Sequence, residues 1–304
     1  MRVLRRHPIL ALVSLLTVLE VVLVALPFRA TSPTWGGACP DVTIIGVRAT
    51  RERLDKGQLD MGGMVSAVAY KLSQELWRRQ PSLAVKREGV PYPASLVYGP
   101  SRNRGATLLM RMMRSEVARC PQVHFALIGL SQGADVIESM ASRAPELSST
   151  TKRIAAIVLY GDPSRLPNQS FERGTRDDRG GVFAHSHRSI PAYLVPKTWA
   201  FCLDGDEICA NHLGLLALIW SGTHTRYADD GNALQQQGII FAAEQVIQSS
   251  RRSPLGQTRG GTGPATTSRL VVRGALGGPR RSTPGLRPGR LDTTQMGPGA
   301  GSHT

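Results

Sequence analysis

The sequence predicts an α/β protein, a three-layer sandwich with a central, mainly parallel sheet between helices. Short apolar runs rich in β-branched residues alternate with longer stretches at helical spacing, which is the order that generates parallel sheets. One run, Ile154–Tyr160, has no polar alternation, as expected of a strand buried on both faces. There are no internal repeats that would suggest a solenoid.

Val42–Val47 reads as the first strand. From Gly62 to Arg79, Met64, Val65, Val68, Ala69, Leu72, Leu76 and Trp77 recur at helical spacing. Leu83–Val90 is a weaker strand. Ser101–Ala118 forms a second amphipathic helix on Leu108, Leu109, Met112, Met113 and Val117. Val123–Gly129 is the next strand, and Gln132–Ala144 the next helix, with Ala134, Val136, Ile137 and Met140 on its apolar side. After Ile154–Tyr160, the polar, Gly-rich segment Pro163–Ile190 reads as loop. Ala192–Val195 is expected as the last strand and Leu234–Ile247 as a closing helix.

The chain has 304 residues, 41% of them hydrophobic, so a sizeable core can form. Of its net charge of +15, most sits at the two ends. Residues 1–30 carry four Arg against Glu20, and residues 251–304 carry nine Arg against Asp292. The middle, 31–250, is nearly balanced and forms the expected folded domain. A basic balance outside the fold argues against a nucleic-acid partner. Arg2, Arg5 and Arg6 precede an apolar run from Pro8 to Pro27. A charged start and an apolar stretch read as an export signal, either a cleaved signal peptide or a retained membrane anchor. The basic start then stays inside and the rest faces outside the cytoplasm. The 251–304 tail of Gly, Pro, Arg, Ser and Thr is expected to be disordered and cationic. It either adheres to an anionic envelope surface or has no partner.

Four cysteines, Cys39, Cys120, Cys202 and Cys209, all lie in the middle segment. In an oxidising compartment an even count suggests two bridges. Cys202 and Cys209 can close a short loop. Cys39 and Cys120 each precede a predicted strand and can meet at one edge of the sheet. Zinc spacings such as Cys-x-x-Cys are absent, so no metal is expected.

Gly129-Leu130-Ser131-Gln132-Gly133 matches G-x-S-x-G, with an apolar strand running in and a helix running out. That is the context of a nucleophile elbow in an α/β-hydrolase. The alternative is that Ser131 caps the helix. A serine hydroxyl needs a base, and the base an orienting acid, in the chain order Ser, acid, His. Downstream histidines are His185, His187, His212, His224 and His303; His224, just before the closing helix, suits the order best. Asp162, Asp204 and Asp206 compete as the acid, and spacing alone does not separate Asp162 from Asp206.

These motifs resemble the cutinase family of secreted serine esterases. Cys120-Pro121 and Ile128–Ala134 are similar to the family's serine motif. Cys202-Leu-Asp-Gly-Asp-Glu-Ile-Cys209 is similar to its second signature, an aspartate between bridged cysteines. The resemblance implies Asp206 as the acid and leaves Asp162, in Tyr160-Gly-Asp-Pro163, as a structural turn. It implies His224, followed by Tyr227, as the base. Through Cys39–Glu52 it implies Thr50 and Gln132 as the oxyanion hole. It spans roughly residues 38–248, and it implies a five-stranded sheet, often without a lid, and hydrolysis of short to medium acyl or lipid esters. No cofactor is implied, and a monomer is expected. A thioesterase or acyltransferase would use the same triad, and a non-catalytic envelope-binding protein could use the same fold. Ala49 stands where the family usually has Gly, which puts the oxyanion loop in question. The apolar run Leu213–Trp220 is extra, either a buried element or a flap beside the site.

Overall fold

The computed structural model describes residues 38–143, 148–174, 178–216, 222–229 and 232–251. The expected export signal and basic tail lie outside these residues. The strands are β1 (Val42–Val47), β2 (Val85–Gly89), β3 (His124–Leu130), β4 (Ile154–Tyr160), β5 (Glu172–Gly174) and β6 (Thr198–Cys202). The helices are α1 (Gly63–Arg79), α2 (Tyr98–Arg119), α3 (Gln132–Ala141), the single turn α4 (Ser148–Thr151) and α5 (Ala233–Arg251).

The strands form one sheet in the order β2-β1-β3-β4-β6-β5, and every neighbouring pair is parallel. Alternate strand residues feed two cores. Ile45, Val47, Phe125, Leu127, Ile157 and Leu159 pack with α2 and α3 on one face. Val42, Ile44, Ala126, Ile128 and Val158 pack with α1 and α5 on the other. Period-2 alternation between two apolar surroundings makes these strands apolar throughout.

The sheet has six strands where five were expected. The additional one, β5, is three residues long and polar, and it pairs only at the outer edge beside β6. So short a strand carries no readable periodicity, which is why its segment reads as loop. The last strand in chain order is also displaced. Ala192–Val195 is a turn leading into a 3-10 helix at Val195–Lys197, and β6 begins at Thr198. Pro196 has no N–H to give to a ladder and favours that turn. In α1 the buried stripe is Met64, Val65, Val68, Ala69, Leu72 and Leu76, but Trp77 is 67% exposed. One residue past Leu76 lies about 100° round the helix, outside the stripe.

Two disulfides join Cys39 to Cys120 and Cys202 to Cys209. The first ties the residues preceding β1 and β3 at one end of the sheet. Among the described residues no helix is long and apolar enough to cross a membrane.

The chain leaves β1 for β2 on one side and returns to β3 on the other. The carboxyl ends of β1 and β3 therefore border the crevice at the point where strand order reverses, the usual ligand position in open α/β sheets.

Candidate active site

Ser131 sits in that crevice, between the last residue of β3 and the first of α3. Its backbone is at φ 55°, ψ −123°, a conformation side chains rarely adopt. Its N–H donates to Tyr160 O at 2.9 Å and its carbonyl accepts from Ala134 at 2.8 Å. The side chain makes no capping bond to α3, so the cap alternative does not describe it. The flanking glycines are required by close approach. A Cβ on Gly129 would lie 2.6 Å from Gly133 O, and one on Gly133 would lie 2.1 Å from Val47 O. Both are backbone contacts with no flexible end to move. The motif thus lets the strand, the elbow and the start of α3 pack directly against the end of β1.

Gln132 is fully buried. Its side chain accepts from Ser101 Oγ at 3.0 Å and donates to Ser95 O at 3.0 Å. This ties the elbow to the start of α2. The first N–H groups of α3 lack intrahelical partners by construction and face the serine.

Thr50 lies half-buried in the turn after β1. The residues that hold this turn were not singled out from the sequence. Arg48 is 1% exposed. Its guanidinium donates to the carbonyls of Glu52 (2.8 Å), Val90 (2.9 Å) and Tyr92. The Tyr92 hydroxyl donates back to Arg48 O at 2.7 Å, and the guanidinium stacks 4.8 Å above the Tyr92 ring. The Glu52 carboxylate accepts from Ala49 N (2.7 Å) and Gly63 N (3.1 Å), joining the turn to the start of α1. Arg51, not Ala49, takes the left-handed conformation, and its N–H donates to Ala94 O at 2.6 Å. Ala49 therefore needs no glycine-like backbone. A charged residue directly after a buried strand was the available signal for Arg48.

Asp206 is fully buried in the loop closed by Cys202–Cys209. It accepts from Ile208 N at 2.9 Å and from the Tyr227 hydroxyl at 2.9 Å. The Tyr227 hydroxyl in turn accepts from Leu203 N at 2.8 Å. His224, in the 3-10 helix Thr223–Ala228, places Nδ1 2.9 Å from Asp206 Oδ2 and 3.1 Å from Oδ1. Nδ1 thus donates to the carboxylate, which leaves Nε2 as the acceptor nitrogen. Burial pushes the Asp206 carboxyl up. The hydrogen bond and charge of His224, with Ile208 N–H and the Tyr227 hydroxyl, outweigh it, and the net direction is below the ordinary carboxylate value. Cys202, Asp206 and Cys209 converge closely, but both sulfurs are spent in the bridge.

His224 Nε2 is buried and has no hydrogen-bond partner among the described residues, Ser131 included. The two are neighbours through one peptide segment. Ser131 N bonds Tyr160 O, and the next residue, Gly161, backs the imidazole; a Cβ there would lie 2.8 Å from His224 Cε1. Asp162 bonds elsewhere: its Oδ1 accepts from Ser164 N at 2.9 Å, an Asx turn. Among the other histidines, His187 faces Glu138, His185 packs edge-on to Phe183, and His212 N–H donates to Glu207. His303 lies outside the described residues. Leu213 and Leu216 are exposed on the loop before His224; part of the run to Trp220 lies outside the described residues.

The cutinase family profile matches residues 38–246. Cutinase cut1 of Trichoderma harzianum is 28% identical over 203 residues, 66% of this chain and 67% of its own. Carboxylesterase Culp1 of Mycobacterium tuberculosis is 26% identical over 239 residues, 77% of this chain and 96% of its own. Among solved structures, a cutinase-like protein from Cryptococcus sp. shares the fold with a TM-score of 0.54 at 20% identity, covering 69% of this chain and 97% of that one. An acetyl xylan esterase does so with a TM-score of 0.54 at 20% identity, covering 69% and 100%. With more than half its length matched, the strand–elbow–helix at Ser131 and both bridges in place, the chain belongs to the cutinase family.

Proposed function

We propose that this chain is an exported serine esterase that cleaves short to medium acyl or lipid esters through Ser131, His224 and Asp206. The observation that carries the reading is the imidazole held at Nδ1 by a buried carboxylate, with Nε2 lacking a hydrogen-bond partner among the described residues and linked to a strained serine through the Tyr160–Gly161 segment. Nε2 takes the Ser131 proton as the hydroxyl oxygen attacks the ester carbonyl. Asp206 remains ionised and stabilises the imidazolium. The amides of Gln132 and Thr50, with the Thr50 hydroxyl, receive the developing oxyanion in a site already fixed by Arg48, Glu52 and the buried Gln132 side chain. The alcohol leaves with the proton from Nε2, and water repeats the cycle on the acyl-enzyme. Every step uses this chain's own residues. Export accords with two disulfides, which persist in oxidising compartments. Exposed Leu213 and Leu216, on the segment that precedes His224 in sequence, favour an apolar acyl group in the substrate.

The test is a fluorophosphonate probe together with p-nitrophenyl butyrate turnover. Wild-type protein is labelled at Ser131. Ser131→Ala loses labelling and about 10⁴-fold or more of kcat with its melting temperature unchanged. An unlabelled wild-type serine, or turnover retained by the alanine variant, refutes the assignment.

A further inference from the structure

The short strand β5 and the turn after β4 meet at a buried side chain that the ester chemistry does not use. Arg165 is 6% exposed. Its Nε lies 2.7 Å from Glu172 Oε1, on β5, and its Nη2 donates to Glu172 Oε2 at 3.3 Å. Its Nη1 donates to two backbone carbonyls, Arg179 O at 2.7 Å and Cys209 O at 3.2 Å. One guanidinium thus joins three segments that are distant in the chain. Glu138, Asp162 and His187 border the same small cavity as Arg165, so the surroundings suit a cation of either kind, Arg or Lys.

Cys209 closes the loop that carries Asp206. The loop leaves the sheet at Cys202, the last residue of β6, and the disulfide returns its far end to that same residue. A loop tied back to one point can still pivot about it. The peptides after the acid are gripped from outside. Asp206 Oδ1 accepts from Ile208 N at 2.9 Å, and Ile208 O in turn accepts from Val182 N at 3.0 Å. The next carbonyl, Cys209 O, accepts from Arg165. The Val182 contact also depends on the turn: Arg165 O accepts from Gly181 N at 2.9 Å, and Pro163 O accepts from Phe183 N at 2.7 Å. A Cβ on Gly181 would lie 2.2 Å from Pro163 O and 2.9 Å from Ile208 O, so residues 181–183 are wedged between the turn and the acid's loop. Both restraints on that loop pass through residues 163–165.

We propose that Arg165 is a positioning residue for the ester reaction: anchored by Glu172, it holds the Cys209 end of the Asp206 loop, and through that loop the carboxylate that aligns His224. This gives β5 a task, which is to present Glu172 to the guanidinium. The task needs the fork and not only the charge. A guanidinium offers five N–H donors in a fixed plane, enough for a carboxylate and two carbonyls together, whereas an ammonium offers three from one point. The proposal rests on the triad proposed above.

The experiment is a double-mutant cycle on the full chain, Arg165→Lys with Asp206→Asn. It reads kcat and KM for p-nitrophenyl butyrate well below Tm, at raised enzyme concentration for the slow variants, with circular dichroism to confirm the fold. Arg165→Lys keeps the charge and lowers kcat about 10- to 100-fold with KM nearly unchanged. In the Asp206→Asn background the same substitution has no further effect, because the group it positions is gone. A merely structural role would lower Tm and leave the kcat of the folded protein alone, or would lower kcat by the same factor in both backgrounds. Either result overturns the proposal. Should Arg165→Lys fail to fold, Glu172→Gln decides by the same cycle: a kcat loss confined to the Asp206 background supports the proposal, and equal losses or none overturn it. Failure of the triad shows separately, as an Asp206→Asn variant with wild-type kcat.

Discussion

Removing a single oxygen from Tyr227 tests how Asp206, the proposed acid, is held. The Tyr227 hydroxyl is buried, donates to Asp206 Oδ2 at 2.9 Å and accepts from Leu203 N at 2.8 Å. Tyr227→Phe deletes both bonds and keeps the ring, which packs against Tyr160 and His224. One lost bond is to a charged group, and the Leu203 N–H is left without its partner; together these cost about 2–4 kcal/mol. In a domain of this size that is a fall in Tm of about 5–12 °C. The pH dependence has a definite sign. The folded Asp206 carboxyl lies below its ordinary value. Its contribution to stability is therefore complete above the unfolded value near 4 and is lost as pH falls through the lower folded one. Without the Tyr227 hydroxyl the folded value rises toward the unfolded one, so the variant starts less stable at pH 7, loses less stability on acidification, and completes that loss at a higher pH than wild type. Circular dichroism melts from pH 2.5 to 7 measure both quantities. If Tyr227→Phe melts with wild type at pH 7 and shows the same acid midpoint, the tyrosine does not hold the acid.

Three further outcomes are expected. Gly133→Ala must displace backbone, because its Cβ would lie 2.1 Å from Val47 O. Stability falls by about 1–3 kcal/mol, and p-nitrophenyl ester kcat falls about 10²-fold or more as the oxyanion amides separate; unchanged kinetics would place the oxyanion site elsewhere. Arg48→Met removes the guanidinium from the carbonyls of Glu52 and Tyr92, and from that of Val90, which keeps Tyr92 N–H, costing about 2–4 kcal/mol and lowering kcat more than raising KM; urea titration with steady-state kinetics checks both. Replacing both Cys202 and Cys209 by Ser opens a bridge of sequence separation 7 and costs about 2.4 kcal/mol. The same pair of substitutions loosens the Asp206 loop, so activity is lost at a lower temperature than global unfolding.

Much of this was legible because each signal was local. Ile154–Tyr160 announced a central strand by being apolar at every position, and the structure begins and ends β4 at those residues. The glycines around Ser131 announced a tight elbow, and the structure supplies the reason for each in a backbone oxygen nearby. Misplacements came where local signals are weak or misleading. Ala192–Val195 has strand composition, but Pro196 turns the chain and the ladder starts at Thr198. Trp77 is apolar and helical yet points outward. The three residues of β5 pair only because β6 leaves an edge open beside them.

The sequence by itself determined the layered α/β fold and the serine elbow, because periodicity and turn chemistry act over a few residues. Only the tertiary structure decided which groups meet across the chain. Arg48 reaches Val90 and Tyr92, and Tyr227 reaches Asp206. Such pairings depend on the sheet order, which brings distant loops to one end of the strands. No spacing along the chain encodes a contact made in that way.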